Sequence, residues 1–204
     1  MAGPPAAPMP PLSDAARRRS LEETLAAAPD HDALRLFAYG SLMWNPCFEV
    51  ADRTVADVDG YHRSFSIWSV HARGTPEKPG LGLGLEARSG AQCRGIAYTL
   101  PPGTGEAALM ELWKREMWID CYRPVWIKAE TGEGSVAAFA FAIDPAHPMH
   151  TGSLPLAEQA RYIAAARGKF GACADYLYET WDAMRREGVE DAEMRALVDA
   201  VRLQ

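Results

Sequence analysis

The apolar periodicity of this chain changes character once along its length, and that change restricts the fold more than any single motif. From about residue 33 to residue 144, short apolar runs bounded by turn residues read as strands: "ALRLFAY", "YHRSFSIWSV", "LGLGLEA", "QCRGIAYTL", "RPVWIKAE" and "SVAAFAFAID". A single helical stretch, "EAALMELWKREMW", interrupts them. Beyond a Pro- and His-containing loop from Asp144 to Pro155 the pattern is helical, in "LAEQARYIAAARG", "GACADYLYETWDAMRREG" and "DAEMRALVDAVR". Strands first and helices last is an α+β order, not the regular alternation of a doubly wound sheet. The expectation is roughly six or seven strands in a small curved mixed β-sheet or barrel, with flanking helices and a helical C-terminal third.

A chain of 204 residues can bury one sizeable core. Residues 1–12, rich in Pro and Ala, read as a disordered tail, 13–33 as a helical extension and 34–204 as a single domain. Ser13 is placed as the N-cap of a helix over "DAARRRSLEETLAAA" that stops before Pro29. A net charge of -6 argues against a nucleic-acid-binding surface as the main function and leaves small polar substrates open. No apolar run approaches the roughly 20 residues of a membrane span, and the N-terminus lacks an apolar signal region, so a cytoplasmic location is expected. Cys47, Cys93, Cys121 and Cys173 are widely separated and read as reduced thiols. His147 and His150 lack a Cys or carboxylate cluster to complete a zinc site, so no metal is expected. "GLGLG" opens no helix and has no Lys-Ser/Thr partner, which removes a dinucleotide fingerprint and a P-loop.

Three local features bear chemistry. In the helix from Glu106, Leu109, Leu112 and Trp113 mark the buried stripe, and Glu116 takes its i+7 position. Glu111, Lys114 and Arg115 fall on the opposite side. A carboxylate on an apolar face is a structural ion pair, with Arg123 or Arg73 as partner, a helix end that simply reaches solvent, or a general acid/base whose pKa burial raises. In "FAYGSLMW" a strand ends at Gly40-Ser41, where consecutive backbone N–H groups can cradle a carboxylate or an oxyanion, or simply form a turn. Tyr176 lies on an apolar stripe with Cys173, Leu177 and Thr180, so its hydroxyl needs a partner inside. The bare glycine face of "LGLGLEA" suggests close approach of a backbone or a ligand.

With these residues in view, the chain resembles the ChaC-type γ-glutamylcyclotransferases. The resemblance rests on "FAYGSLMWNPCFE", "GYHRSFSIWS", "RGTPEKPGLGLGLE", "CRGIAYTL", "LWKREM…YRP" and "GACADYL", in that order, from about Leu36 to Arg202. It implies a small mixed-sheet barrel with flanking helices, and cleavage of a γ-glutamyl amide, typically in glutathione, to 5-oxoproline and the released amine. It implies a small-molecule substrate and no cofactor. By the same resemblance Tyr39, Gly40, Ser41 and Leu42 hold the γ-glutamyl group, Glu116 is the catalytic acid/base, Tyr176 lies at the site and Arg73 is placed there too. The substrate's own α-amine attacks its γ-carbonyl, so a carboxylate must take a proton from that amine and return one to the leaving group. The chain departs from the family's pattern in its N-terminal segment and in "MWIDC" after Glu116, which bears on substrate preference.

Overall fold

Two long antiparallel strands carry the architecture. The computed structural model describes residues 3–5, 9–30 and 33–204. In chain order its elements are α1 (Asp14–Ala26), β1 (Arg35–Ala38), a 3-10 turn (Ser41–Met43), β2 (Asp52–Ser69), β3 (Gly80–Thr99), α2 (Glu106–Glu116), β4 (Tyr122–Thr131) and β5 (Gly134–Ile143). They continue with α3 (Leu156–Ala165), a small hairpin of β6 (Arg167–Gly168) and β7 (Gly171–Ala172), α4 (Cys173–Arg186) and α5 (Ala192–Arg202). The first five strands close a barrel in the order β1-β3-β2-β4-β5. Most pairings are antiparallel, but β1 and β3 both meet β5 in parallel, so the sheet is mixed as expected.

Two strand expectations need correction. "LGLGLEA" and "QCRGIAYTL" are not separate strands but the two halves of β3, and β2 begins at Asp52 rather than near Tyr61. The turn-like "ARSG" between the halves is absorbed by a register shift: Asp59 lies opposite Gln92, while Tyr61 lies opposite Ala87. Gly60 and Gly90 take positive φ (79° and 75°) there, the conformation glycine adopts without steric cost.

β1 is short. Leu36 pairs with Phe139 of β5, and β3 rejoins β5 three residues further on, at Leu85 opposite Ala142. The chain leaves the barrel at Gly40, where β3 and β5 come together. Buried Arg63 holds this exit: it donates to the Tyr39 carbonyl (2.6 Å) and pairs with Asp191 (3.0 Å), the N-cap residue of α5. α2 docks on β5 through Trp113, whose ring lies 5.6 Å from Phe139 and 5.1 Å from Phe141. Leu109, Leu112 and Trp113 are buried, so the stripe read from the sequence is the docking face.

α1 covers the other side of α2. Ser13 caps it as expected, accepting from the Ala16 N–H (3.2 Å). Buried Arg17 donates to the carbonyls of Met117 (3.0 Å) and Trp118 (3.3 Å), just past the end of α2, where a cation offsets the helix dipole. Of the tail expected over 1–12, residues 1, 2 and 6–8 lie outside the described residues. Met9 and Leu12 rest against the core, and the Leu12 N–H donates to the Trp118 carbonyl (2.9 Å). All four cysteines are free, with Cys47 exposed and the others buried. Among the described residues no helix is long and apolar enough to cross a membrane.

Candidate active site

Glu116 closes α2 one turn beyond Leu112 and Trp113, so docking of that face carries the carboxylate inward, past the edge of the aromatic cluster. Its side chain is 15% exposed. Burial pushes its pKa above the ordinary carboxylate value, and Arg115 opposes that rise without cancelling it. The end of α2 contributes further negative potential. The carboxyl group faces a cavity of about 30 Å³ whose wall also contains Tyr39, Gly40, Ser41, Leu42 and Tyr176. Six of the seven residues selected from the sequence therefore converge on one point.

Arg73 does not line this cavity. Its guanidinium lies over the Tyr176 ring (5.3 Å), donates to the Ala172 carbonyl (3.3 Å) and pairs loosely with Glu179 (3.7 Å). It supports the site from behind Tyr176. Neither partner suggested for Glu116 is used: Arg123 pairs with Asp120 (2.6 Å) and Asp144 (3.0 Å). The ion pair is made instead by the adjacent Arg115, with Nε 3.2 Å from Oε1. Its helical-wheel position puts Arg115 on the side of α2 opposite the apolar stripe, but its long stem folds back over the carboxylate, a freedom the wheel does not capture.

Sequence reading also missed Tyr122, Leu83, Phe37 and Phe141 in the cavity wall. Tyr122 and Phe141 come from β4 and β5, so only barrel closure brings them beside Glu116. Leu83 reverses an expectation: the leucine face of "LGLGLEA" meets the cavity, whereas Gly82 and Gly84 face Ile67, Ser66 and Ile143. Gly40 does allow a close approach. A Cβ there would meet Leu83 Cδ2 at 3.2 Å and the Tyr176 hydroxyl at 3.6 Å.

The three tyrosines remain protonated. Burial pushes the pKa of each upward, and Glu116 adds to the rise in all three. Tyr39 donates to the Phe141 carbonyl (2.7 Å) and Tyr122 to the Leu83 carbonyl (3.0 Å). With their protons committed to backbone, these hydroxyls offer lone pairs to whatever enters. Beside Glu116 they make a setting that favours an ammonium group. The neighbouring Cys121 thiol is pushed up by burial to about 12 and stays inert. His147 and His150 are engaged locally: His147 Nδ1 accepts from the Met149 N–H (3.1 Å), and His150 Nε2 lies 3.3 Å from Glu86.

Comparison with known proteins identifies the family. A glutathione-specific γ-glutamylcyclotransferase of Escherichia coli (strain K12) is 37% identical over 91% of this chain and 80% of its own length. Glutathione-specific γ-glutamylcyclotransferase 1 of Mus musculus is 33% identical over 84% of this chain and 79% of its own. A crystal structure of a yeast γ-glutamylcyclotransferase specific to glutathione shares the fold, with a TM-score of 0.77, 19% identity, and coverage of 84% of this chain and 96% of that one. The family model described as ChaC-like protein matches residues 34–204. With that match spanning the barrel, the cavity and the C-terminal helices, the chain belongs to the ChaC-like family.

Proposed function

We propose that the protein is a γ-glutamylcyclotransferase that cleaves glutathione to 5-oxoproline and Cys-Gly. The observation that carries this reading is the Glu116 carboxylate, held mostly out of water with a raised pKa and facing the Gly40-Ser41 loop across one cavity. Residues 34–204 are read as the catalytic domain and 13–33 as an extension, whose helix α1 braces the end of α2 through Arg17. Free thiols fit a reducing compartment, and the cytoplasm is the proposed location.

In the proposed reaction the substrate ammonium sits among Glu116 and the Tyr39 and Tyr122 hydroxyl oxygens. Glu116 takes one proton, and the freed amine nitrogen bonds to the γ-carbonyl carbon, closing a five-membered ring. Backbone N–H groups of the Gly40-Ser41 loop receive the resulting oxyanion. When the carbon–nitrogen bond to cysteine breaks, Glu116 returns its proton to the leaving nitrogen; the ring nitrogen then gives up its second proton through the same carboxylate to the released amine, which departs as an ammonium. No water is consumed. Both reacting groups belong to one molecule, so much of the catalytic advantage is the folding of the substrate back on itself.

The test is release of 5-oxoproline and Cys-Gly from glutathione, measured beside γ-Glu-Ala and γ-glutamyl-lysine. Preferred turnover of a γ-glutamylamine would replace glutathione as the substrate. Absence of 5-oxoproline from every compound would reduce the cavity to a binding site.

A further inference from the structure

Arg115 is a charged residue beside the site to which the proposed chemistry gives no part. Its side chain is 26% exposed and, without lining the cavity itself, joins two of the wall residues, Glu116 and Ser41, to the Asn45 carbonyl. Nε engages Glu116 Oε1 at 3.2 Å, Nη2 donates to Ser41 Oγ at 2.9 Å, and Nη1 donates to the Asn45 carbonyl. The two arms of the guanidinium fork therefore rest on neutral oxygens, while only the stem-side nitrogen meets a carboxylate. A planar fork is suited to a carboxylate and binds one more strongly than it binds a hydroxyl or a carbonyl.

We propose that Arg115 is the residue that recognises the substrate's α-carboxylate, exchanging Ser41 Oγ and the Asn45 carbonyl for the two oxygens of the incoming group. The proposal rests on the cyclotransferase reading and deepens it. In a γ-glutamyl compound the α-amine and the α-carboxylate are bonded to the same carbon. An amine placed to give its proton to Glu116 Oε2 holds the carboxylate within reach of the Arg115 fork, because Nε is already fixed on Oε1 of the same glutamate. The cavity volume of about 30 Å³ has room for about two waters, so a γ-glutamyl group requires part of the rim to move. Arg115, partly exposed and tied to two wall residues through exchangeable contacts, is a polar group beside the cavity able to do so. Charge balance points the same way. An anionic substrate brought against a carboxylate base needs a cation between them, and Arg115 is the cation in contact with both Glu116 and the Ser41 turn. This division leaves the N–H groups of the Gly40-Ser41 loop for the oxyanion.

The experiment measures kcat and KM for wild type, Arg115→Gln and Arg115→Lys on three substrates: glutathione, its α-carboxamide, and its glycine-carboxamide. With glutathione, Arg115→Gln should raise KM about 100-fold, the size of loss expected on truncating one partner of a desolvated charge pair, with kcat far less affected. Arg115→Lys should recover part of that loss. The penalty should disappear with the α-carboxamide, which wild type itself binds poorly, and persist with the glycine-carboxamide. An equal penalty on the α-carboxamide overturns the proposal, as does a penalty lost only on the glycine-carboxamide. A fall confined to kcat, accompanied by a shifted acid limb, would mean that Arg115 acts only on Glu116. If Arg115→Gln does not fold, wild type against Arg115→Lys on the two carboxamides gives the same decision. Wild-type enzyme that releases no 5-oxoproline from any γ-glutamyl compound overturns the underlying reading, and the proposal with it, an outcome none of the other arms imitates.

Discussion

Glu116 and Glu86 are both held mostly out of water, 15% and 21% exposed, yet their surroundings drive them in opposite directions. Burial would raise Glu86, but donors from Ser64, Ser66 and His150 outweigh it and carry the pKa below the ordinary value. The His150 tautomer is fixed, since its Nδ1 accepts from the Gly152 N–H (3.2 Å) and leaves Nε2 to donate to Glu86. Glu116 has burial too, but only Arg115 opposes it, and its pKa rises. Saturating a carboxylate's lone pairs makes a structural tie; here it fastens the 144–155 loop to β2 and β3. A buried carboxylate opposed by a single neighbouring guanidinium makes a group ready to accept a proton.

Exchanging each carboxylate for an amide should separate the two roles most widely. Glu116→Gln is expected to lower kcat by about 1,000-fold, within the range for losing a general acid/base. The same change should leave Tm equal or higher. An acid whose folded pKa is raised binds its proton more tightly when folded, so it opposes stability once pH exceeds its unfolded value near 4.5. The amide removes that cost and still offers Arg115 an acceptor. Glu86→Gln should do the reverse, keeping kcat per folded molecule while losing about 2 kcal/mol and roughly 5 °C in Tm. Calorimetry beside the 5-oxoproline assay reads both, and an inactive Glu86→Gln of unchanged Tm would break the contrast.

Acidification of the unmodified protein sharpens it further. Glu116 needs to be ionised to act, so activity should fall as pH drops through a pKa above 4.5. Glu86 stabilises the fold while ionised; its pKa is depressed, so that contribution is lost only as pH falls through a value below 4.5. Between the two lies a window in which the protein is folded and inactive. Near-UV circular dichroism and activity followed on one titration should show reversible inactivation first. Coincident loss of both signals would mean that one event governs both.

How far each glutamate was legible in the sequence follows from how local its signals are. Glu116 was visible because α2's stripe fixes the face of every residue from its own spacing, and Tyr176 was visible on α4 for the same reason. The YGSL segment was visible as a strand end. Nothing local announced Tyr122 or Leu83, since their place beside Glu116 depends on β3, β4 and β5 closing one barrel. The suggested partners Arg123 and Arg73 had the right charge, but the strand and loop that carry them take them to Asp120, Asp144 and Glu179. Glu86 drew no notice, because its donors lie on β2 and in the loop at His150, far away in sequence.

The smallest contrast lies in two glycines, one beside each carboxylate. A Cβ on Gly84 would meet Ser66 Oγ at 2.9 Å and Ile143 Cγ2 at 3.3 Å. Ser66 can rotate away, but it then gives up its bond to the Ser64 carbonyl (3.4 Å) and its help to Glu86, so Gly84→Ala should cost about 1 kcal/mol of stability with turnover kept. A Cβ on Gly40 would press Leu83 Cδ2 at 3.2 Å, and the open space beside that leucine is the cavity it lines. Gly40→Ala should therefore raise KM for glutathione roughly fivefold, equivalent to about 1 kcal/mol of overpacking, while Tm moves little. Each alanine tests whether its neighbourhood serves binding or fastening. A Gly40→Ala protein with lowered Tm and unchanged KM would return the Gly40-Ser41 turn to a purely structural part.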